Sequence, residues 1–435
     1  MEFAVSESTY PIHFRRNDAK ALGEYIRHRQ SVDIVGLKRV GISNFLRFIL
    51  SHPKVIETYV DATHKHFFIP VDLNDLVERE LYPFWTLTFK RIVDETEKSG
   101  LPDESKQKIA STFLSAIQSH DLFLMIDGIR RALSILVEAG YLPTFFFLRF
   151  DRIKKAVTPE FFDNLQGLID SSHQQLSFVF TSYRSLDVLS PDVLTKSSLA
   201  FFSQVMYLKP LTKDDMRIIY ESYQERYDFG LSSPLQQKLF SLVGGDVQYL
   251  HLAMIVLHEK KETSPRTSEE LFHMLISDER LMLQSEELWE SLTGEEKEVL
   301  VRVSKGGKIG VEEKKKVPYL FETGLLQEEK GSFSIFSKLF THYIVTLAQL
   351  VAHSRELVFS KKEHLLFTTL HDHLGEIQER EEIIEKVWPE YKEFGVSDWS
   401  IDRLVARVRV KLRQQESPFE IKTIRTRGYV LISKV

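Results

Sequence analysis

Short apolar runs alternate with longer amphipathic segments through the first half of the chain. The runs have strand length and are rich in β-branched and aromatic residues, and between them apolar residues recur at helical spacing. Strands separated by helices of this length form βαβ units, so the pattern predicts a parallel sheet with helices on both faces. The predicted strands cover residues 31–36, 66–73, 144–151, 175–182 and 204–211.

After Pro210 the periodicity becomes helical. Residues 212–290 are predicted to be helical with a break at Gly244-Gly245, and residues 291–350 contain helices and a hairpin candidate at Lys330-Gly331. The chain ends in two further helices and a basic hairpin. In the helix at about 399–413, apolar residues recur at helical spacing and form one stripe. The patterns predict a multidomain chain, α/β plus α+β, with domains at 1–211, 212–290, 291–355 and 356–435.

Composition excludes several classes of protein. The 435 residues include no Cys, which excludes a disulfide framework, a thiolate nucleophile and a Cys-based zinc site. The formal net charge of -5 argues against a general polyanion-binding protein. The chain begins without a signal-peptide pattern and has no apolar run of about 18 residues. We therefore expect a cytoplasmic protein that does not contact a membrane.

The segment from Gly36 to Ser43 (GLKRVGIS) has the spacing of a phosphate-binding loop, GxxxxGK[ST], between a strand and a helix. Glycines in such a loop let backbone N–H groups converge on phosphate oxygens at a helix N-terminus. Ile42 stands where the motif has a lysine, and Lys38 and Arg39 are candidates to replace part of its charge. A strand-to-helix turn without a ligand is the alternative.

Polar residues end the third and fourth predicted strands. Asp151 lies where a P-loop fold places its magnesium-facing Asp, and Thr181 suits a sensor of the γ-phosphate. Arg152 follows where many hydrolysing P-loop proteins have a Glu. An Asp that caps the next turn and an ordinary polar strand end are the alternatives. The candidate nucleotide-binding residues are Gly36, Lys38, Arg39, Gly41, Ser43, Asn44, Asp151 and Thr181, with Ser43 and Asp151 as the candidate magnesium ligands.

Residues 10–285 resemble the AAA+/STAND class of signalling ATPases, close to the archaeal and origin-recognition-like branch. Val247 replaces a proline of that family's helical lid, and Ile42 and Arg152 depart from its catalytic residues. The resemblance implies a switch module that binds ATP or ADP with Mg²⁺ and is not an efficient ATPase. The motifs that carry it are Phe14-Arg15-Arg16, GLKRVGIS, FFFLRFD, FVFTSYR and the lid segment Gly244 to Leu250.

Residues 291–350 resemble the winged helix that often follows such lids. They carry Gly324-Leu325-Leu326, the turn at Lys330-Gly331 and a helix from Lys338. Such modules bind DNA in some proteins and only pack in others. The charges of this segment are mixed in sign, which favours packing.

Residues 361–435 resemble the OmpR/PhoB-type winged-helix DNA-binding domain. Val387-Trp388, Val396-Ser397-Asp398, the RVRVKL run at 407–412 and the hairpin Ile421 to Tyr429 follow the family's order and spacing. The resemblance places the 399–413 helix in the major groove and the Arg427 wing at the minor groove or its phosphates. From Ser397 to Val435 nine basic residues accompany four acidic ones, an electrostatic footprint for DNA. A solvated basic face on a packing domain is the alternative. The candidate DNA-binding residues are Ser400, Arg403, Arg407, Arg409, Lys411, Arg425 and Arg427.

These patterns together predict a prokaryotic DNA-binding transcriptional regulator. A P-loop parallel sheet with a helical lid would form its nucleotide-dependent switch, and two winged-helix domains would follow this module. Double-stranded DNA is the expected partner, while nucleotide and a second copy of the chain are left open. The alternatives are an ATP-driven machine on DNA, of the origin-recognition or defence type, and a pseudo-ATPase scaffold for protein partners.

Overall fold

The computed structural model describes residues 6–189, 193, 202, 204–227, 229–329, 331–353, 359–388, 398–414, 417–424 and 427–433. The chain divides into two compact units, a large unit at Met1–Val345 and a small unit at Thr346–Val435. Within the described ranges no helix is both long enough and apolar enough to cross a membrane. The predicted boundaries at 211/212, 290/291 and 355/356 stay predictions.

The large unit is built around a five-stranded parallel sheet, as predicted. Because all strands run the same way, their carboxyl ends lie at one edge. From β1 the chain leads outward to β2, and it then returns through β3 and β4 to β5 on the far side of β1. The neighbouring strands β1 and β4 thus send their connections in opposite directions, and the crevice at such a switch is where open α/β sheets bind ligands. The strands are β1 (Val32–Gly36), β2 (Lys65–Asp72), β3 (Tyr141–Leu148), β4 (Ser177–Ser182) and β5 (Val205–Leu208), in the order β2-β3-β4-β1-β5.

The third strand ends earlier than the sequence predicts. It stops at Leu148, and Asp151 lies beyond it in a 3₁₀ turn at Phe150–Ile153. Arg149 has a left-handed φ of 61°, and its backbone N–H donates to Thr181 Oγ1 at 2.8 Å. Phe150 and Ile153 are buried in the turn. The apolar pattern therefore continues past the point where the strand ends.

Two apolar cores lie on opposite faces of the sheet. Phe146 and Val179 enter one core, while Phe145, Phe147 and Phe178 enter the other. This alternation along β3 and β4 is the signature of strands buried on both faces. The helical segments predicted between the strands are confirmed. The helices of the first part of the large unit are α1 (Arg16–Arg27), α2 (Ile42–Ser51), α3 (Leu81–Glu97), α4 (Asp103–Ser119), α5 (Leu122–Glu138), α6 (Pro159–Ser171) and α7 (Leu186–Leu189).

The rest of the large unit is helical apart from one hairpin, β6 (Leu326–Glu329) and β7 (Ser332–Ile335). A Cβ on Gly244, which has a φ of 65°, would lie 2.1 Å from the carbonyl oxygen of Phe336. Ser337 Oγ donates to the Leu242 carbonyl at 2.9 Å. The residues after the hairpin thus pack tightly on the helical segment 212–290, which we call the lid. The helices are α8 (Lys213–Tyr227), α9 (Ser233–Val243), α10 (Val247–Glu259), α11 (Ser268–Ile276), α12 (Glu279–Glu290), α13 (Gly294–Ser304), α14 (Val311–Lys316), α15 (Pro318–Glu322) and α16 (Lys338–His353).

Among its described residues, the small unit contains the end of α16, three further helices and a three-stranded sheet in the order β8-β10-β9. One apolar core joins these elements, and the predicted stripe of the last helix is buried in it through Ile401, Leu404, Val405, Val408 and Leu412. The elements are α17 (Lys361–His371), β8 (Gln378–Glu379), α18 (Arg380–Val387), α19 (Asp398–Gln414), β9 (Phe419–Ile424) and β10 (Gly428–Ser433).

Candidate functional site

The loop from Gly36 to Ser43 joins β1 to α2 and is covered by the lid. Gly41 has a φ of 111°, and a Cβ there would lie 2.4 Å from Val247 Cγ2 at the start of α10. Val40 is fully buried, and its N–H closes a turn with the Leu37 carbonyl at 3.1 Å. The loop therefore has the tight backbone that the glycine spacing predicts, with Val247 directly against it.

The two cations inside the loop have different surroundings. Arg39 is paired with Glu287 of α12 at 2.9 Å, so its charge is used in a contact with the lid. Lys38 Nζ lies 5.3 Å from the centre of the Tyr183 ring, which follows β4. Burial raises the pKa of Asp151, and the positive charge of Lys38 opposes that rise. The structure thus brings Lys38, Asp151 and the end of β4 together.

Asn44 in the first turn of α2 contacts the N-terminal segment. Its Nδ2 donates to Glu7 Oε1 at 3.0 Å, and Arg47 donates to the same oxygen at 2.6 Å. Among the described residues, Asn44 Oδ1 is buried without a hydrogen-bond partner. The side chain predicted to bind nucleotide therefore also fastens the chain start to the loop helix.

Arg15 connects the loop to the lid, and the prediction of site residues missed it. This Arg is 3% exposed. Its Nη1 donates to the Lys209 carbonyl at 3.0 Å and its Nη2 to the Val40 carbonyl at 3.5 Å, while its backbone N–H donates to Asp215 Oδ1 at 2.8 Å. Its position in the FRR motif was the sequence signal that could have revealed it.

Four polar residues meet at the carboxyl edge of the sheet, and we call them the strand-tip cluster: Ser43, Asp72, Arg149 and Thr181. Arg149 Nη1 donates to both carboxylate oxygens of Asp72, and Arg149 Nη2 donates to Ser43 Oγ at 3.3 Å. Thr181 accepts the backbone N–H of Arg149. Thr181 thus holds the backbone of Arg149 in place through this hydrogen bond.

The strand-tip cluster does not fit a magnesium ion. Mg²⁺ needs oxygen ligands, usually one or two carboxylates besides its waters and phosphates. The hydroxyl of Ser43 is instead contacted by the guanidinium of Arg149, which carries a positive charge and has no lone pair to offer. Asp151, the predicted second ligand, lies in the turn after β3. In the described part of the chain, no cluster of three or more His, Asp or Glu side chains could hold a metal.

A buried carboxyl group, Asp33 on β1, lies beside this edge and was not predicted. It is fully buried, accepts from Ser182 Oγ at 3.1 Å and accepts the N–H of Leu186 at 3.0 Å. Burial raises its pKa to about 7, although these hydrogen bonds oppose the rise. The folded chain thus binds a proton here that the unfolded chain releases near pH 4.

Asp33 is expected to make the large unit less stable as the pH rises from about 4 to about 7. In that window the folded state holds the Asp33 proton and the unfolded state has lost it, so the free energy of unfolding falls by about 1.4 kcal/mol per pH unit from this group. Asp33→Asn should remove that slope, whereas Asp163→Asn on an exposed face should not. Urea unfolding between pH 5 and pH 7 measures it. An unchanged slope in Asp33→Asn would contradict the assignment.

In the small unit, α19 divides into a buried stripe and an outer basic face. Ala406, Val410 and Arg413 are exposed, and Ser400 and Arg403 are partly exposed. Val410 is 45% exposed, which is unusual for a β-branched residue at the centre of a charged helix. Arg427 is exposed in the turn before β10, while Arg425 lies outside the described residues. The predicted helix and the turn before β10 thus both carry exposed cations.

Two of the predicted DNA-binding cations are used to hold the unit together. Lys411 Nζ lies 2.5 Å and Arg407 Nε 3.4 Å from the carboxylate oxygens of Glu363. Glu363 is 2% exposed and also accepts the Ser360 N–H at the start of α17. Because a buried carboxylate is costly without a positively charged partner, Arg407 and Lys411 stabilise the buried carboxylate of Glu363.

Arg409 has a structural contact as well. Its Nε donates to the Ile421 carbonyl and its Nη2 to Thr423 Oγ1, both at 2.8 Å, so it fastens α19 to β9. Arg413 and Lys422 are exposed next to it but were not among the predicted DNA-binding residues. Arg413 could have been found by placing α19 on a helical wheel, since it lies outside the buried stripe, whereas Lys422 lies on β9.

Several solved structures are similar to this chain. A Walker-type ATPase of Pyrococcus abyssi shares 14% identity over 76% of this chain and 95% of its own, with a TM-score of 0.47. The ORC2 protein of Aeropyrum pernix, as ADPNP-ADP complexes, shares 13% identity over 78% of this chain and 95% of its own, with a TM-score of 0.46. The ORC1 protein of Aeropyrum pernix in complex with DNA shares 11% identity over 97% of this chain and 89% of its own, with a TM-score of 0.36.

No curated protein matches the chain. The small unit does match a family model, over residues 354–431. The match covers α17, which carries Glu363, α19, which carries its cationic partners, and the terminal hairpin up to residue 431. The description of that family is "Transcriptional regulatory protein, C terminal", and residues 354–431 of this chain carry that domain.

Proposed function

We propose that this chain is a DNA-binding transcriptional regulator whose small unit binds double-stranded DNA. The observation that carries the proposal is the outer face of α19, where exposed and partly exposed arginines surround two small apolar side chains. An α-helix fits the major groove, arginines bind phosphates and guanine, and apolar side chains contact thymine methyl groups. The family of the 354–431 segment supports the same role.

Selection of duplexes from a random library by the full-length chain tests this role. We expect enrichment of one sequence family, with an affinity that falls as salt rises because phosphate contacts release counterions. A matched library of single strands serves as the control, since helix docking in a major groove requires a duplex. No enrichment from the duplex library at any salt concentration would overturn the DNA-binding role.

Val410 is expected to contribute to sequence preference rather than to general DNA affinity. Val410→Ala should lower affinity for the selected duplex about fivefold, from the loss of apolar contact with a thymine methyl. The salt dependence should stay the same because no charge changes. In a duplex with deoxyuridine in place of thymine, the two proteins should bind equally. An equal loss on both duplexes would show that Val410 acts through the fold instead.

We also propose that the 36–43 loop binds a nucleotide, ATP or ADP. The glycine spacing, the N-terminus of α2 and the position of Lys38 near the ends of β3 and β4 support it. Ile42 and Arg152 stand where hydrolysing P-loop proteins have a lysine and a glutamate, so we expect the loop to bind nucleotide with little hydrolysis. The bound nucleotide would then act as a switch.

A ligand that binds only the folded state raises its melting temperature, so a thermal-shift titration with ADP and ATP tests nucleotide binding. We expect a rise in the melting temperature with wild type. Gly41→Val should abolish the rise in melting temperature, because a side chain at position 41 would clash with Val247 and would force a non-glycine residue into a positive φ. The absence of any shift with either nucleotide would favour the pseudo-ATPase scaffold. DNA-stimulated hydrolysis would favour the ATP-driven machine. Assembly into homo-oligomers and residence in the cytoplasm are further parts of this proposal.

A further inference from the structure

At the carboxyl edge of the sheet, the guanidinium of Arg149 contacts Ser43, which is one of the two predicted magnesium ligands. Arg149 joins three elements: its guanidinium contacts Asp72 at the end of β2 and Ser43 in the first turn of α2, and its backbone N–H donates to Thr181 on β4. The left-handed backbone of Arg149 is held by that last contact. Strained residues of this kind concentrate at functional sites, where the surroundings fix them.

Other cations gather at the same edge. Lys38, Arg152 and Lys154 all act electrostatically on the carboxylate of Asp151. The side chain of Arg149 is 35% exposed. This edge therefore holds Lys38, Arg149, Arg152 and Lys154 against the carboxylates of Asp72 and Asp151, and the excess positive charge beside the loop can perform the electrostatic task that Mg²⁺ performs for a polyphosphate.

We infer that Arg149 replaces the metal, so that the 36–43 loop binds a nucleoside diphosphate or triphosphate without a divalent cation. The inference rests on the proposed nucleotide role of the loop. Arg149 and Lys38 would neutralise the phosphate oxygens, with Asp72 holding the guanidinium in place. Mg²⁺ would add nothing, because Ser43 Oγ is engaged by a cation that repels another.

Isothermal titration of the full-length chain with ADP, in Mg²⁺ buffer and in EDTA, tests the inference. We expect dissociation constants that agree within about threefold in the two buffers, since the ligand charge is met by fixed side chains. Binding at least tenfold weaker in EDTA would overturn the inference and leave the nucleotide role intact. No binding in either buffer would overturn both.

Variants of Arg149 separate its role from that of the loop. Arg149→Ala should weaken ADP binding about tenfold through the loss of a charged contact, and Arg149→Lys should retain most of the affinity. Arg149→Asp places a second carboxylate beside Asp72 and Ser43, so its ADP binding should become dependent on Mg²⁺, with Mn²⁺ detectable by electron paramagnetic resonance. Circular dichroism melts confirm that each variant is folded. Wild-type affinity in a folded Arg149→Ala protein would overturn the role of this side chain.

Discussion

Replacing Arg403 and Arg427 together by alanine is expected to lower the affinity of the full-length chain for its selected duplex about 100-fold. Arg403 lies on the outer face of α19 and Arg427 in the exposed turn of the hairpin. Each guanidinium contact to a phosphate or base edge contributes about 1–3 kcal/mol. If both contact phosphates, the slope of log affinity against log salt should become shallower by about 2. A mobility-shift assay over a range of salt concentrations measures both quantities.

The matched control is Arg79→Ala with Arg131→Ala, which removes the same charge from exposed positions of the large unit. Its affinity should stay close to that of wild type. Arg407→Ala is a poor test of DNA binding, because it leaves Glu363 buried with one partner fewer and should destabilise the small unit instead. Equal losses in the two double variants would mean that only overall charge matters, and no loss in either would exclude the α19 surface.

The second large effect is expected at the ion pair between Arg184 and Glu296. Two bonds of 2.7 and 2.6 Å join them, and their side chains are 10% and 5% exposed. The guanidinium also donates to the Ser291 carbonyl at 3.0 Å and lies 3.5 Å from the centre of the Tyr319 ring. Through this pair the end of β4 is fastened to α13 and to α15.

Glu296→Ala should destabilise the large unit by about 3–5 kcal/mol, because it leaves a buried guanidinium without its partner. It also removes half of the capping box that Glu296 forms with Thr293 at the start of α13. Arg184→Met combined with Glu296→Leu should recover most of the loss, since a paired apolar replacement leaves no buried charge. Urea unfolding measures all three proteins. A loss below about 1 kcal/mol in Glu296→Ala would show that water reaches the pair.

The periodicity of apolar residues predicted which parts of the chain form strands and which form helices. The five parallel strands, the helical lid, the buried stripe of α19 and the terminal hairpin were all predicted, because burial on one face or both leaves a repeating trace in the sequence. The ends of β3 and β5 were exceptions, since β3 stops before its predicted end at 151 and β5 stops at Leu208 before its predicted end at 211. Phe150 and Ile153 keep the apolar pattern in a turn, so the pattern alone could not show that the strand stops at Leu148.

The roles of the charged residues depended on contacts that no local pattern encodes. Lys411 meets Glu363 across 48 positions, Arg149 meets Ser43 across 106, and Arg184 meets Glu296 across 112. The sequence identified the loop, the basic helix and the kinds of chemistry they offer, because motif spacing and helical faces are local properties. Only the tertiary structure decided which cations are used inside the fold and which stay exposed, because an ion pair depends on where distant segments meet and on how much water they exclude.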